Sequence, residues 1–369
     1  MAGTKTGDGA GAGVGAGAGA EVGAGTVGGT TATVARGTTG PAGAAGAGRV
    51  GGRMGGRIGG RVRRTLLAAL VASAVVIPVS AAASPDVPAP PPVAFAEDAT
   101  AEVRYAANLT NLAEAARTAR GAGRTGRAAK LHAMEAGGTA RFLAFDGHGT
   151  GRAVEVFGRL EGADRVTVLV PGSDTTLDTY QRFRAGAVAL QQRLDAERPR
   201  SAVVAWLGYD TPGTISATVL TTGRADGAAA ELGPFLERLR GLTGPGARLS
   251  LLCHSYGSVV CARTATGPAV TDVVLFGSPG TGARAARELP TRARIWAGRA
   301  SGDWIGGVPH VRFGGIGFGA DPVDPAFGAR AFDAGSAGHS DYLKPGTASL
   351  DSLAAIVLGT GTDVGVPRA

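Results

Sequence analysis

The part of this chain best suited to covalent chemistry is a serine set between small residues directly after an apolar run. Leu249-Ser250-Leu251-Leu252 leads into Cys253-His254-Ser255-Tyr256-Gly257-Ser258 and then a helical stretch. A strand, a tight turn and a helix are what present a serine hydroxyl as a nucleophile, and the strained turn needs small residues two before and two after the serine. Gly257 meets the second requirement; at the first, Cys253 stands where glycine is usual. A plainer reading remains open, in which Ser255 only caps the following helix.

An attacking serine needs a base, and the base needs an acid to hold its tautomer. His339 lies in a polar loop just before the last helical stretch, and Asp303 follows directly on the apolar run 294–297. Ser255, Asp303 and His339 thus occur in the order nucleophile, acid, base, each at the end of an element. Asp303 competes with a turn role beside Gly302 and with Asp321, Asp324, Asp333 and Asp341 as the acid. Among the other histidines, His254 is expected to point away from the elbow, His310 to sit on a strand, and His132 and His148 to precede the functional edge. Acyl transfer also needs donors for an oxyanion. The backbone N–H of Tyr256 is one candidate; the other is that of Ser173, in the loop Pro171-Gly172-Ser173-Asp174-Thr175-Thr176 after the run 166–170.

These groups must be held by a scaffold. Short apolar runs occur at 141–145, 153–157, 166–170, 202–206, 249–252, 273–276 and 294–297, with helical stretches at 177–196, 225–240, 258–265, 282–289 and 347–358 and a helical arm over 97–135. Alternation of this kind predicts an α/β fold with a mostly parallel, doubly wound sheet, helices on both faces, and ligands at the carboxyl ends of the strands. If the segment from Cys253 to Cys261 is helical, its eight residues span about 12 Å, beyond disulfide reach; two buried free thiols are therefore expected.

Of the 63 glycines, 23 fall in residues 1–60, a stretch with almost no large apolar residue. A Gly/Ala/Arg-rich tail over 1–64 cannot bury enough surface to order itself. Residues 1–96 carry 8 Lys/Arg against 3 Asp/Glu, so +5 of the net charge of +8 belongs to that region. The arginines cluster before an apolar run at 65–83 with no aromatic interleaving, which argues against nucleic acid. Arginines, an apolar run, small residues near 81–83 and 94–96, and a Pro-rich linker at 84–96 predict a secretory signal peptide, with a retained signal anchor as the alternative. The rest of the chain, 97–369, is expected to be one domain outside the cytoplasm. Membrane contact is expected only through the N-terminal segment, if it is not cleaved.

The runs RFLAFD (141–146), GRAVEVFG (151–158), VTVLVPG (166–172), VAWLGYD (204–210), CHSYGS (253–258), FGSPG (276–280) and GHSDY (338–342) together resemble an actinobacterial α/β-hydrolase family of uncharacterised function. The resemblance spans about residues 97–360. It implies the α/β-hydrolase fold with a serine nucleophile and supplies no substrate. Cys253 is the visible departure from the elbow pattern. The expectation is then an exported serine hydrolase acting on a carboxylic ester or related acyl bond of a small molecule, through Ser255, His339 and Asp303. The alternative is a non-catalytic binding or scaffold domain of the cell envelope. The segment 208–222 is expected to cover the pocket with small and apolar groups. No metal cluster, phosphate loop or dinucleotide fingerprint is present in the sequence, so no cofactor is expected.

Overall fold

The computed structural model describes residues 87–135, 140–197 and 200–364. The expected tail at 1–64, the apolar run at 65–83 and the start of the linker lie outside the described residues. The helical arm is two helices, α1 (Ala101–Gly121) and α2 (Thr125–Glu135). Thr100 starts α1, its hydroxyl accepting the Val103 N–H. The arm packs on the first strand through Leu112, Ala115, Leu131 and Met134 against Phe142 and Phe145. Asn108 of α1 also donates to the Phe142 carbonyl at 2.9 Å.

The strands are β1 (Phe142–Asp146), β2 (Arg152–Gly158), β3 (Arg165–Val170), β4 (Ser201–Leu207), β5 (Arg248–His254), β6 (Val270–Phe276), β7 (Arg294–Gly298) and β8 (Arg330–Ala331). They form one sheet in the order 1-2-4-3-5-6-7-8. Antiparallel pairing is confined to β2, against β1 and β4; from β4 onward every pairing is parallel. All seven anticipated strands are present. The two-residue β8 carries too little apolar pattern to be read in advance.

Strand alternation splits the core into two layers. Val166, Val168 and Val170 of β3 face one way, with Leu232, Leu236 and Leu239 of α4 (Gly223–Leu242) and Val259 and Val260 of α5 (Gly257–Arg263). Leu169, Val203, Leu252 and Val274 face the other, under α3 (Tyr180–Ala196) and α6 (Ala348–Leu358). The doubly wound sheet with helices on both faces is thus the observed architecture. One helical expectation is corrected. Over 282–289 there is only a 3-10 turn, Ala286–Glu288, because Gly282 takes φ 84° and Ala285 is extended at φ −155°, ψ 154°, so no single helix can run through the stretch.

The expectation of two free thiols is also corrected: Cys253 and Cys261 form a disulfide, with their Cα atoms 6.4 Å apart. The chain between them is not one helix. Cys253 ends near the tip of β5, the chain reverses at Ser255, and α5 starts only at Gly257. The reversal brings Cys261 back beside the strand it left. Closing a loop this short stabilises a fold by about 2–3 kcal/mol in the chain-entropy view. Urea unfolding of Cys253→Ala/Cys261→Ala is expected to show a loss of that order; an unchanged unfolding free energy would show that the bond adds no stability.

Candidate active site

Ser255 adopts φ 52° and is one of two described non-glycine residues with positive φ, the other being Asp174. A β-carbon is costly in that region, so the turn is held from outside. The Ser255 N–H still pairs with the Phe276 carbonyl at 3.0 Å, and the Ser258 hydroxyl donates to the Cys253 carbonyl at 3.0 Å. Gly257 is required by close approach: a β-carbon there would lie 2.7 Å from the Val170 carbonyl oxygen and 2.6 Å from that of Pro171. The first turn of α5 therefore rests against the end of β3. The Ser255 side chain does not cap that helix; its hydroxyl lies 2.9 Å from His339 Nε2.

The other two residues meet on the same line. His339 Nδ1 is 2.8 Å from Asp303 Oδ1. With the hydroxyl donating to Nε2 and the carboxylate accepting from Nδ1–H, the partners assign the tautomer. Asp303 is fully covered, with a side-chain exposure of 0%. Its Oδ1 also accepts the Ile305 N–H at 2.9 Å, and its Oδ2 accepts the Tyr342 hydroxyl at 2.6 Å. Burial acts to raise the Asp303 pKa, but the bonds from His339, Tyr342 and Ile305 outweigh it and hold the carboxyl below its usual value. The turn role weighed for Asp303 is real as well, since it caps the 3-10 turn Trp304–Gly307. The competing carboxylates are engaged elsewhere: Asp341 with Lys344, Asp321 with Arg299, Asp324 with the Ala326 N–H and Asp333 with the Gly335 N–H.

The loop after β3 lies against the serine. A β-carbon on Gly172 would stand 2.6 Å from Ser255 Cβ and 3.1 Å from its Oγ. The segment after β4 pins this loop: Tyr209 donates to the Pro171 carbonyl at 2.7 Å, and Asp174 gives its N–H to Pro212 and accepts that of Thr214, both at 3.0 Å. Among the described residues, the backbone N–H groups of Ser173 and Tyr256 meet no internal acceptor.

Two participants were not anticipated. Tyr342 accepts the Ala300 N–H at 3.0 Å and donates to Asp303, tying the acid to the loop that carries the base. It lies in the GHSDY run, three residues past His339, so a signal was present. His254 was expected to point away from the elbow, but its ring packs against that of His339. Its Nε2–H donates to the His339 carbonyl at 2.7 Å, and the two rings are 4.8 Å apart. Burial and the neighbouring His339 push the His254 pKa down to about 4, so it is a neutral strut under the base. His310 is on no strand; it contacts Asp321 and the Ser278 carbonyl. His148 pairs with Asp146 and His132 with Glu135, away from this site.

The lowered His254 pKa fixes the sign of an acid effect. Between about 4 and the usual 6.5 the unfolded chain binds a proton that the folded chain refuses, so stability falls as pH drops through that window. Unfolding at pH 5 is expected to cost about 2 kcal/mol less than at pH 7 from this group. The difference should shrink in His254→Gln; an equal drop in wild type and variant would assign the acid sensitivity elsewhere.

The strand order, the crossing of β4 and β3, and a serine elbow at the end of β5 define an α/β-hydrolase fold. Residues 146–313 match the family described as alpha/beta hydrolase. An uncharacterised protein of Mycobacterium tuberculosis is 30% identical over 258 residues, covering 58% of this chain and 38% of its own length. One of Mycobacterium bovis is 33% identical over 135 residues, covering 34% of this chain and 50% of its own. The chain thus spans half or less of these relatives. Among solved structures, the esterase LipW of Mycobacterium marinum is similar at 16% identity and a TM-score of 0.38, covering 69% of this chain and 94% of that one. An α/β serine hydrolase of Xanthomonas campestris, described as lacking a lid, gives 16% and 0.35, covering 57% and 88%. The chain is thus similar to an α/β-hydrolase family over residues 146–313 and to uncharacterised mycobacterial proteins over part of their length.

Proposed function

We propose that this chain is an exported serine hydrolase that cleaves a carboxylic ester or related acyl bond through an acyl-enzyme. The observation that carries the reading is the continuous line from Ser255 Oγ to His339 to Asp303, at 2.9 and 2.8 Å. Ser255 Oγ attacks the ester carbonyl while His339 Nε2 takes its proton. The carbonyl oxygen becomes an anion between the N–H groups of Ser173 and Tyr256. The alcohol leaves with the proton from His339; water, deprotonated by the same nitrogen, then attacks the acyl group and releases the acid. Asp303, held in place by the Tyr342 hydroxyl, orients the imidazole and stabilises its charged form.

Export is part of the proposal. The buried Cys253–Cys261 bond suits an oxidising compartment, and the sequence before residue 97 reads as a leader. Mass spectrometry of the secreted protein should find a new N-terminus between about Ala83 and Glu97; a full-length chain confined to membranes would favour the anchor.

The test of function is rapid mixing with p-nitrophenyl esters of rising chain length. An initial burst of about one p-nitrophenol per chain, followed by slower turnover, is the expected signature of an acyl-enzyme. No release above the uncatalysed rate with any ester would remove the proposal.

A further inference from the structure

Two loops, one bonded to the loop after β3 and one beside His339, expose large apolar side chains. Phe313 is 89% exposed, while Ile215, Leu220, Trp304, Val311 and Ile316 are between 50% and 77% exposed. Scattered exposed apolar residues need no explanation, but a cluster confined to two neighbouring loops does. Their placement follows from bonds already described. The segment 211–222, with Ile215 and Leu220, is stitched to Asp174 of the oxyanion loop through the Thr214 N–H. Trp304 lies 4.8 Å from the His339 ring. Between them a hairpin pairs Phe313 with Ile316 across Gly314-Gly315, whose φ angles of 55° and 84° suit a tight primed turn. The hairpin's root is fixed: the Phe318 ring meets Tyr256 edge-on at 5.7 Å, and the Gly317 N–H donates to the Leu220 carbonyl at 2.9 Å. Its tip points nowhere into the core.

Charge singles out the same surface. Residues 211–222 and 304–319 contain one formally charged residue, Arg312, in a chain that is 18% charged. Arg312 is exposed and donates to the Gly282 carbonyl at 2.9 Å, with no carboxylate partner. An exposed apolar tip beside a cation that has no carboxylate partner complements an anionic lipid surface: apolar side chains enter the acyl boundary while the guanidinium meets headgroup oxygens.

We infer that this apolar patch docks on an anionic lipid surface, with Phe313 at the hairpin tip as the leading anchor, and that the esters cleaved at Ser255 are acyl lipids held in that surface. The inference rests on the hydrolase reading for its substrate but not for its binding step. It also goes beyond the expectation that membrane contact is confined to the segment before the domain.

The test uses two measurements. Ser255→Ala, with the patch intact, is sedimented with vesicles of phosphatidylglycerol and phosphatidylcholine. Adding Phe313→Ser and Ile316→Ser is expected to lower the bound fraction constant by about tenfold or more. The same two tip substitutions in the active chain should lower hydrolysis of emulsified tributyrin by a similar factor and leave p-nitrophenyl acetate turnover within about twofold. Vesicle binding that is absent, or indifferent to the tip, overturns the inference. So does a tip-dependent dimer in sedimentation velocity without vesicle binding, which would assign the patch to a second copy. Equal losses on soluble and emulsified esters would overturn it by placing the tip in general catalysis. If instead neither ester is cleaved while tip-dependent vesicle binding persists, the hydrolase reading fails and the docking surface stands.

Discussion

Ser255→Ala is expected to lower kcat on a p-nitrophenyl ester by about 10³-fold or more, by analogy with other serine triads. The substitution removes one oxygen whose recorded partner is His339 Nε2, so the remaining machinery has nothing to activate. The fold should tolerate it. The turn is held by backbone bonds and by the close approach of Gly257 to β3, neither of which involves the hydroxyl. Far-ultraviolet circular dichroism and the unfolding midpoint are therefore expected to stay near wild type while turnover collapses. A variant that keeps wild-type kcat would remove Ser255 as nucleophile; one that loses activity only with its fold would leave the role undecided by that variant, and Ser255→Cys, which keeps a nucleophile, would then separate the two.

Asp303→Asn is expected to lower kcat by up to about 10⁴-fold, and Asp341→Asn by no more than about twofold. The two oxygens of Asp303 serve three donors, from His339, Ile305 and Tyr342. An amide offers one acceptor and two donors in the same space, so it cannot serve all three, and an N–H turned toward His339 selects the wrong tautomer. Asp341 bonds Lys344 at the surface, where an ion pair contributes little. Steady-state kinetics of the two variants decides the matter; the reverse ranking would move the acid to Asp341.

Much of this was legible before any coordinates, for identifiable reasons. Runs such as 166–170 and 273–276 are apolar on both faces and therefore read as covered parallel strands, which they are. Ser255 and Asp303 were readable because each sits just past a strand, where a doubly wound sheet gathers its ligands, and His339 because it falls in the polar loop before the last helix. What escaped depends on chain reversal or distant contacts. The Cys253–Cys261 spacing is too long for a bond along a single helix, and it is the chain reversal at Ser255 that shortens it. The role of His254 depends on a carbonyl 85 residues away, which no local pattern encodes. The stretch 282–289 has helical composition, yet its backbone is left-handed at Gly282 and extended at Ala285, breaks that sequence periodicity does not reveal.

The most direct test of Ser255 as the activated nucleophile is intact-protein and peptide mass spectrometry after incubation with a fluorophosphonate. The expected result is a single adduct on the peptide carrying Ser255, absent in Ser255→Ala and slowed in Asp303→Asn, because only a serine whose proton His339 can take reacts at an appreciable rate. An unlabelled wild-type chain, or an adduct on another residue that persists in Ser255→Ala, would contradict it.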